Sequence, residues 1–550
     1  MRYFRKYEVD HALAILPLLL YTLLGCAWIS LPGVQMDELL FLNAALPSAP
    51  YLEYPGRIRI FHHSIPTMLM SYLGAVKGLV WRGIFAVVGA NVHTVRIPAV
   101  ILGGFALWLF YLWVRRWYAS GVALAALWLA ATDPTYIYNS RLDFGPFVMA
   151  HVLMFAGLFL ATKWLETRGS PSRKSDQYLA GAAFCFGLGL WDKAIFEWFL
   201  AALGCSLLIL FPQRVFRQLQ SRVCLIAAGF MFLGALPLVL YNVSSRTTHT
   251  STVVKLDKLD RNTLYAKFWA LRWTVSGNFL YSWTGGDYMP VQPSPSDPAD
   301  RILQGLSRAA PAKGTLLSFV VAIACCVGAF ARGSRRVIFF PLLLTILLWI
   351  QIVVIRGAGG VHHYDLAYPL PHLFVAAALG WFWHTGAIGK VATLTLMSAL
   401  LVSQIAWDAR YLASFHRLGG FGLWTDAIYE VAKDLDSRKP ALVVDMDWGF
   451  MTPLKLLSKT HFERREFWGG CDHDTWNECI QGLSGLVDRQ NTLFLFHSEK
   501  FDVFPRIRKV FEETLRARQM HARMVRVFKD RLDEPVIVLM ATEPGLALSQ

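Results

Sequence analysis

No glycine-rich nucleotide loop and no Walker sequence occur, and no order of Ser, His and Asp suggests a triad, so soluble nucleotide-using chemistry is not indicated. RNA- and DNA-binding motifs are absent as well, and no nucleic-acid partner is expected. The net charge of +15 comes instead from many Lys and Arg set between hydrophobic segments, where they fix topology and meet anionic lipid headgroups. Charge is scarce, at 17% of residues. There is no internal repeat with paired interrupted helices, the mark of a transporter. A cleavable signal peptide is lacking too. Met1 to Lys6 is basic, but the apolar run behind it is as long as a spanning helix and has no small-residue cleavage site, so it reads as a signal anchor. Of the eight cysteines, Cys26, Cys185, Cys205, Cys224, Cys325 and Cys326 lie in apolar runs without metal spacing and read as small hydrophobes.

What the chain has in quantity is hydrophobic residue, 55% of 550, with a mean hydropathy of +0.40. Many apolar runs separated by short basic connectors define a polytopic helical membrane protein. Only from about Asp408 onward does the mixed charge of a soluble domain appear, so two domains are expected, 1–407 in the membrane and 408–550 outside it. Arg2, Arg5 and Lys6 place the amino terminus in the cytoplasm. The stretch Ser64 to Val88, interrupted by Lys77 and Arg82, either spans or lies on the surface. The surface reading puts Arg115, Arg116 and every later basic connector inside, and it is adopted. Eleven spans follow, near 11–30, 96–114, 119–138, 144–163, 178–192, 195–211, 222–241, 314–332, 336–355, 366–384 and 388–406. An odd count places the carboxy-terminal domain on the external face.

Within that domain, 441–444, 492–496, 524–528 and 535–540 read as strands and 501–518 as an amphipathic helix, giving a small α/β unit. Cys471 and Cys479 lie eight apart in a polar loop. A disulfide between them fits an external location. The alternative is zinc held by Cys471, His473, Asp474 and Cys479, a pattern that matches no standard structural spacing.

The topology gathers polar groups on one face. Asp37 and Glu38 follow the first span, and His62 and His63 end the same loop. Arg141 and Asp143 lie at the next external turn, Asp192 and Lys193 between spans five and six, and Arg356, His362, His363, Tyr364 and Asp365 before span ten. Each group has a local explanation, such as an ion pair, a snorkelling lysine or a wet loop. Their convergence suits transfer of a sugar from a lipid-linked phosphate. An acceptor hydroxyl needs a carboxylate base, and a departing phosphate needs cations at the membrane surface. A polyprenyl tail keeps the donor in the bilayer, which removes the need for a nucleotide motif.

The Asp37-Glu38 pair, "HHSIP" at 62–66, the run from Val95 through "YNSRLD" at 138–143, and "GLGLWDKAIF" at 187–196 resemble the protein O-mannosyltransferase and aminoarabinose transferase superfamily, the C-type (GT-C) glycosyltransferases. The likeness covers roughly Leu13 to Phe211. It departs where the family has His-Pro-Pro and Thr-Lys-Gly and this chain has His62-His63-Ser64-Ile65-Pro66 and Trp191-Asp192-Lys193-Ala194. The resemblance implies Asp37 as base with Glu38 beside it, Arg141 and Asp143 at a second external acidic site, and Lys193 in the family's lysine turn, while the charge argument above puts Lys193, Arg141 and Arg356 on the donor phosphate. His62, His63, His362, His363 and Tyr364 are expected to bind substrate. Asp37 and Asp143 are the candidate ligands of a divalent cation, Mg or Mn. Expected partners are a polyprenyl-phosphate sugar, the bilayer, and a glycan, glycolipid or protein acceptor. A lipid A type transferase and a flippase of lipid-linked sugars are the competing readings.

Overall fold

A computed structural model describes residues 2–46, 56–60, 63–167, 173–245, 255–257, 260–286, 297–310, 315–331, 335–469, 471 and 475–544. The first helix, α1 (Arg2–Cys26), ends in a tight turn, and a single helical turn, α2 (Met36–Leu40), carries the acidic pair. The Ser64 to Val88 stretch is not one helix. It folds as the antiparallel strands β1 (Gly56–Ile60), β2 (His63–Met70) and β3 (Leu73–Gly74), followed by the 13-residue α3 (Val76–Val88).

The bundle continues with α4 (Val92–Trp117), α5 (Ser120–Ala131), α6 (Pro134–Leu142), α7 (Phe147–Thr167), α8 (Arg173–Asp192), α9 (Phe196–Leu210) and α11 (Ser221–Ser245), with the short α10 (Pro212–Phe216) before the last. Helix α4 opens on a capping box between Asn91 and Thr94 and closes on Arg115 and Arg116, as the helix dipole favours. Gly187 of α8 and Gly234 of α11 let those helices touch. A Cβ on Gly187 would fall 2.1 Å from the Met231 carbonyl oxygen, and one on Gly234 2.5 Å from that of Phe184.

Among the described residues six helices are long and apolar enough to cross a bilayer: Val92–Trp117, Phe147–Thr167, Ser221–Ser245, Arg335–Val354, Val361–Trp383 and Ala387–Leu418. Four shorter apolar helices, His11–Cys26, Ser120–Ala131, Phe196–Leu210 and Val320–Phe330, fall on four more of the eleven expected segments. The segment at 178–192 lies in α8, which carries Arg173, Lys174, Asp176 and Asp192. The segment expected at 119–138 is broken. Asp133 caps a new helix through the Tyr136 N–H (3.1 Å), and Pro134 at its first position cannot continue the old one. The last long helix, Ala387–Leu418, runs without interruption through residue 408.

Beyond Gly419 lies a five-stranded mixed sheet in the order β5-β4-β6-β8-β7, with β4 (Leu442–Asp445) parallel to β5 (Glu463–Glu466) and β6 (Thr492–His497). The strands β7 (Met520–Lys529) and β8 (Pro535–Pro544) complete it antiparallel. Strand β5 reads Glu-Arg-Arg-Glu, a polar edge with no apolar alternation to reveal it. Helices Trp476–Val487 and Pro505–Ala517 cover one face, packing on Leu442, Val444 and Phe494. The other face shares one core with the membrane part, in which Val34, Leu39, Leu42 and Trp81 pack with Ile428, Val431, Val443, Leu495 and Leu539. The acidic turn α2 therefore rests on the sheet domain. Cys471 and Cys479 are joined, with Cα atoms 5.8 Å apart; His473 and Asp474 lie outside the described residues.

Candidate active site

Successive residues on a helical turn point about 100° apart, and α2 uses that divergence. Glu38 turns into the protein, is 0% exposed, and has both carboxylate oxygens taken by Arg96 of α4, at 2.6 Å from Nε and 2.8 Å from Nη2. Asp37 keeps partial exposure. Its N–H donates to the Gln35 side-chain oxygen at 2.7 Å, which fixes the start of the turn. Burial pushes the Asp37 carboxyl up to about 6, while Lys193 pulls it back down. The nearby Tyr72 phenol is raised by burial and by Asp37.

Lys193 occupies the turn between α8 and α9. That turn is held to the segment before α3 by a bridge between Leu73 and Lys193 and by the Ala194 N–H donating to the Tyr72 carbonyl at 2.9 Å. Its ammonium is 5.8 Å from the Phe41 ring at the end of α2 and 3.3 Å from the Gly145 carbonyl. Burial lowers its affinity for a proton to about 8, against the attraction of Asp192, Asp143 and Asp37. A small pocket opens beside it, with Phe147, Ala150, Phe196 and Leu366 as apolar walls and His362 as the other polar side chain. Gly145, with φ +93°, leaves that pocket open. A Cβ there would stand 3.0 Å from the Lys193 ammonium and 3.1 Å from the His362 ring.

The remaining expected residues have their own partners. Asp143, in the left-handed region, accepts the Phe147 and Val148 N–H groups (2.7 and 3.0 Å), which caps α7, and pairs with Lys77 at 2.7 Å. Arg141, 0% exposed, donates to the carbonyls of Ala27, Trp28 and Leu31. His363 accepts the Gly360 N–H at 3.1 Å, and the Tyr364 hydroxyl donates to the Lys267 carbonyl at 2.7 Å. His362 lies 5.5 Å from Phe144, centroid to centroid. Arg356 is exposed past the end of helix Arg335–Val354 and makes no side-chain hydrogen bond or ion pair among the described residues. His62 lies outside the described residues, as does the side chain of His63. Two residues that carry the site were not picked out from the sequence: Lys77, seen only as an interruption in an apolar stretch, and Arg96, seen only as the start of a span. No group of three His, Cys, Asp or Glu that would hold a metal occurs among the described residues. With its oxygens engaged by Lys77 and the α7 cap, Asp143 does not fit as a partner of Asp37 on a divalent cation.

A partly exposed carboxylate and a buried ammonium at the end of a membrane bundle stand in a fold like that of the C-type membrane glycosyltransferases. ArnT from Cupriavidus metallidurans, solved bound to undecaprenyl phosphate, superimposes over 97% of both chains with a TM-score of 0.54 at 10% identity. The oligosaccharyltransferase AglB of Archaeoglobus fulgidus, in complex with an inhibitory peptide and a dolichol-phosphate, covers 90% of this chain and 70% of its own (TM-score 0.52, 12% identity). The same enzyme tethered to an acceptor peptide gives a TM-score of 0.53 over the same shares, also at 12% identity. No protein-family model matches the chain. No curated protein sequence matches it either.

Proposed function

We propose that this protein is a glycosyltransferase that moves a sugar from a polyprenyl phosphate to an acceptor on the external membrane face, with inversion and with Asp37 as general base. One observation carries the reading: of the two adjacent carboxylates, Glu38 is closed off by Arg96, while Asp37 stays accessible with its proton affinity raised to about 6, next to a buried lysine. In the step, the acceptor hydroxyl gives its proton to Asp37 as its oxygen bonds to the anomeric carbon. The bond from that carbon to the phosphate oxygen breaks on the opposite side. The electron pair leaves with the phosphate, whose growing charge Lys193 meets in the pocket, with Arg356 as a second cation at the membrane edge. A donor tail in the bilayer and a phosphate at Lys193 agree with the polyprenyl phosphates bound by the structural relatives.

Eleven crossings, a cytoplasmic amino terminus and an external 408–550 domain complete the proposal. Contact between His11, near the start of the first crossing, and Arg115, at the end of α4, at 2.9 Å supports it. If 64–88 crossed the membrane, those two ends would lie on opposite sides. The joined Cys471 and Cys479 suit an oxidising exterior.

The test is transfer of radiolabelled sugar from a polyprenyl phosphate by the purified protein in nanodiscs. Asp37→Asn keeps shape and removes basicity, and is expected to lower the rate about 10²-fold to 10⁴-fold with donor binding retained. Full activity of folded Asp37→Asn rejects the base; passage of lipid-linked sugar across vesicles without transfer rejects the enzyme.

A further inference from the structure

The loop that delivers Asp37 has a property that the reaction alone does not require. Between the end of α1 and α2 the chain forms neither helix nor sheet, yet Ile29, Leu31 and Val34 are buried at 8%, 6% and 1% exposure. Apart from Trp28, which also accepts the Leu31 N–H at 2.8 Å, carbonyls in such a stretch have no helix or sheet partner and must be satisfied from elsewhere. Here all seven from Ala27 to Gly33 accept a side-chain donor. Arg141 of α6 takes Ala27, Trp28 and Leu31. Arg96 of α4 takes Ile29 (2.9 Å), Pro32 (2.8 Å) and Gly33 (3.3 Å) while holding Glu38. The seventh, Ser30, receives the hydroxyl of Tyr429 at 2.7 Å, from the helix Ala427–Arg438 of the carboxy-terminal domain.

That domain holds the loop at two more points. The Gly33 N–H donates to the Trp424 carbonyl at 2.8 Å, and the Thr452 hydroxyl reaches the Met36 carbonyl at 3.3 Å. Met36 immediately precedes Asp37, and Gln35 accepts the Asp37 N–H, so any rotation of the loop rotates the carboxylate. Burial pushes the Tyr429 phenol up to about 12, which keeps it a donor throughout the neutral range. Both arginines belong to the membrane bundle; the phenol is the uncharged donor and the one that comes from the other domain.

We infer that Tyr429 is a positioning residue for Asp37: through the Ser30 carbonyl, the carboxy-terminal domain sets the angle at which the base meets the acceptor. This rests on the glycosyl-transfer reading above. Tyr429→Phe removes one donor and leaves both arginines in place, so a small misorientation and not an unfolded loop is the expected result. Misplacement of a catalytic group lowers turnover more than binding.

The experiment measures kcat, donor KM and Tm on full-length protein in nanodiscs for four variants. Tyr429→Phe is expected to lower kcat about 10-fold with donor KM within about twofold of the parent. Thr452→Val, which removes the contact to Met36, should show the same split, and it serves should Tyr429→Phe not fold. Arg531→Gln is the control. Its guanidinium ties the β7–β8 turn to Asp426 (2.8 Å) and to the His416 carbonyl without touching the loop, so it should lower Tm and leave kcat alone. Parental kcat in Tyr429→Phe and Thr452→Val, with only Tm reduced as in Arg531→Gln, overturns the inference. Asp37→Asn separates the two ideas: if it is inactive while Tyr429→Phe is fully active, only the positioning role fails; if it is active, the base assignment fails.

Discussion

Replacing Lys193 with Met removes the charge while keeping a chain that fills the same space against Phe41, and its effects on rate and on pH dependence follow separately from the structure. In the parent, Asp37 must be ionised and Lys193 protonated. With Asp37 raised to about 6 and Lys193 lowered to about 8, kcat/KM should rise through the first value and fall through the second. Lys193 holds the Asp37 carboxyl below where burial alone would put it. Loss of that cation removes the influence that holds the carboxyl down, so the acidic limb should move upward from about 6. The alkaline limb should vanish, since the group that loses its proton there is gone. At the optimum the rate should fall about 10²-fold to 10³-fold, the scale of losing one charge-stabilising donor at a developing anion. The assay is initial transfer rate from a water-dispersible polyprenyl-phosphate sugar between pH 5 and 9. An alkaline limb that persists in Lys193→Met, or an acidic limb that moves toward lower pH, refutes the assignment of both groups.

Two further outcomes are expected. Glu38→Gln leaves Arg96 buried without its carboxylate, and breaking a buried ion pair from one side costs about 3–5 kcal/mol; the protein should lose thermal stability by differential scanning fluorimetry, with a smaller deficit in chemistry per folded molecule than Asp37→Asn. A single cysteine placed beside Arg115 should react with membrane-permeant maleimides and not with impermeant ones in intact cells, and labelling by the impermeant reagent would remove the eleven-crossing topology.

Hydrophobic pattern made the helical bundle legible, because a spanning helix must be apolar for most of its length, and the buried strands β4 and β6 declare themselves for the same reason. The polar edge strand β5 and the break at Asp133-Pro134 sit where pattern is weak or where a local cap overrides it. The site was legible as a list of residue types but not as a division of labour. Motif position favours Asp37 over Glu38 without a physical reason; the ion pair of Glu38 with Arg96, 58 residues away, supplies one. Arg141 and Asp143 look like a local pair. In the folded chain one binds carbonyls of the turn after α1 and the other binds Lys77 and caps α7, and neither partnership has any sequence signature.

The core shared by the acidic loop and the sheet also sets an order in time. Val34, Leu39 and Leu42 are made long before Val536, Ile537 and Leu539, against which that core closes. The whole bundle, with Arg96 and Arg141 already on the loop that carries Asp37, is therefore made before the sheet face that completes the core. The core under that loop closes only when β8 has been delivered and paired, so on the proposed function an interrupted chain would sit in the membrane with its base not yet set.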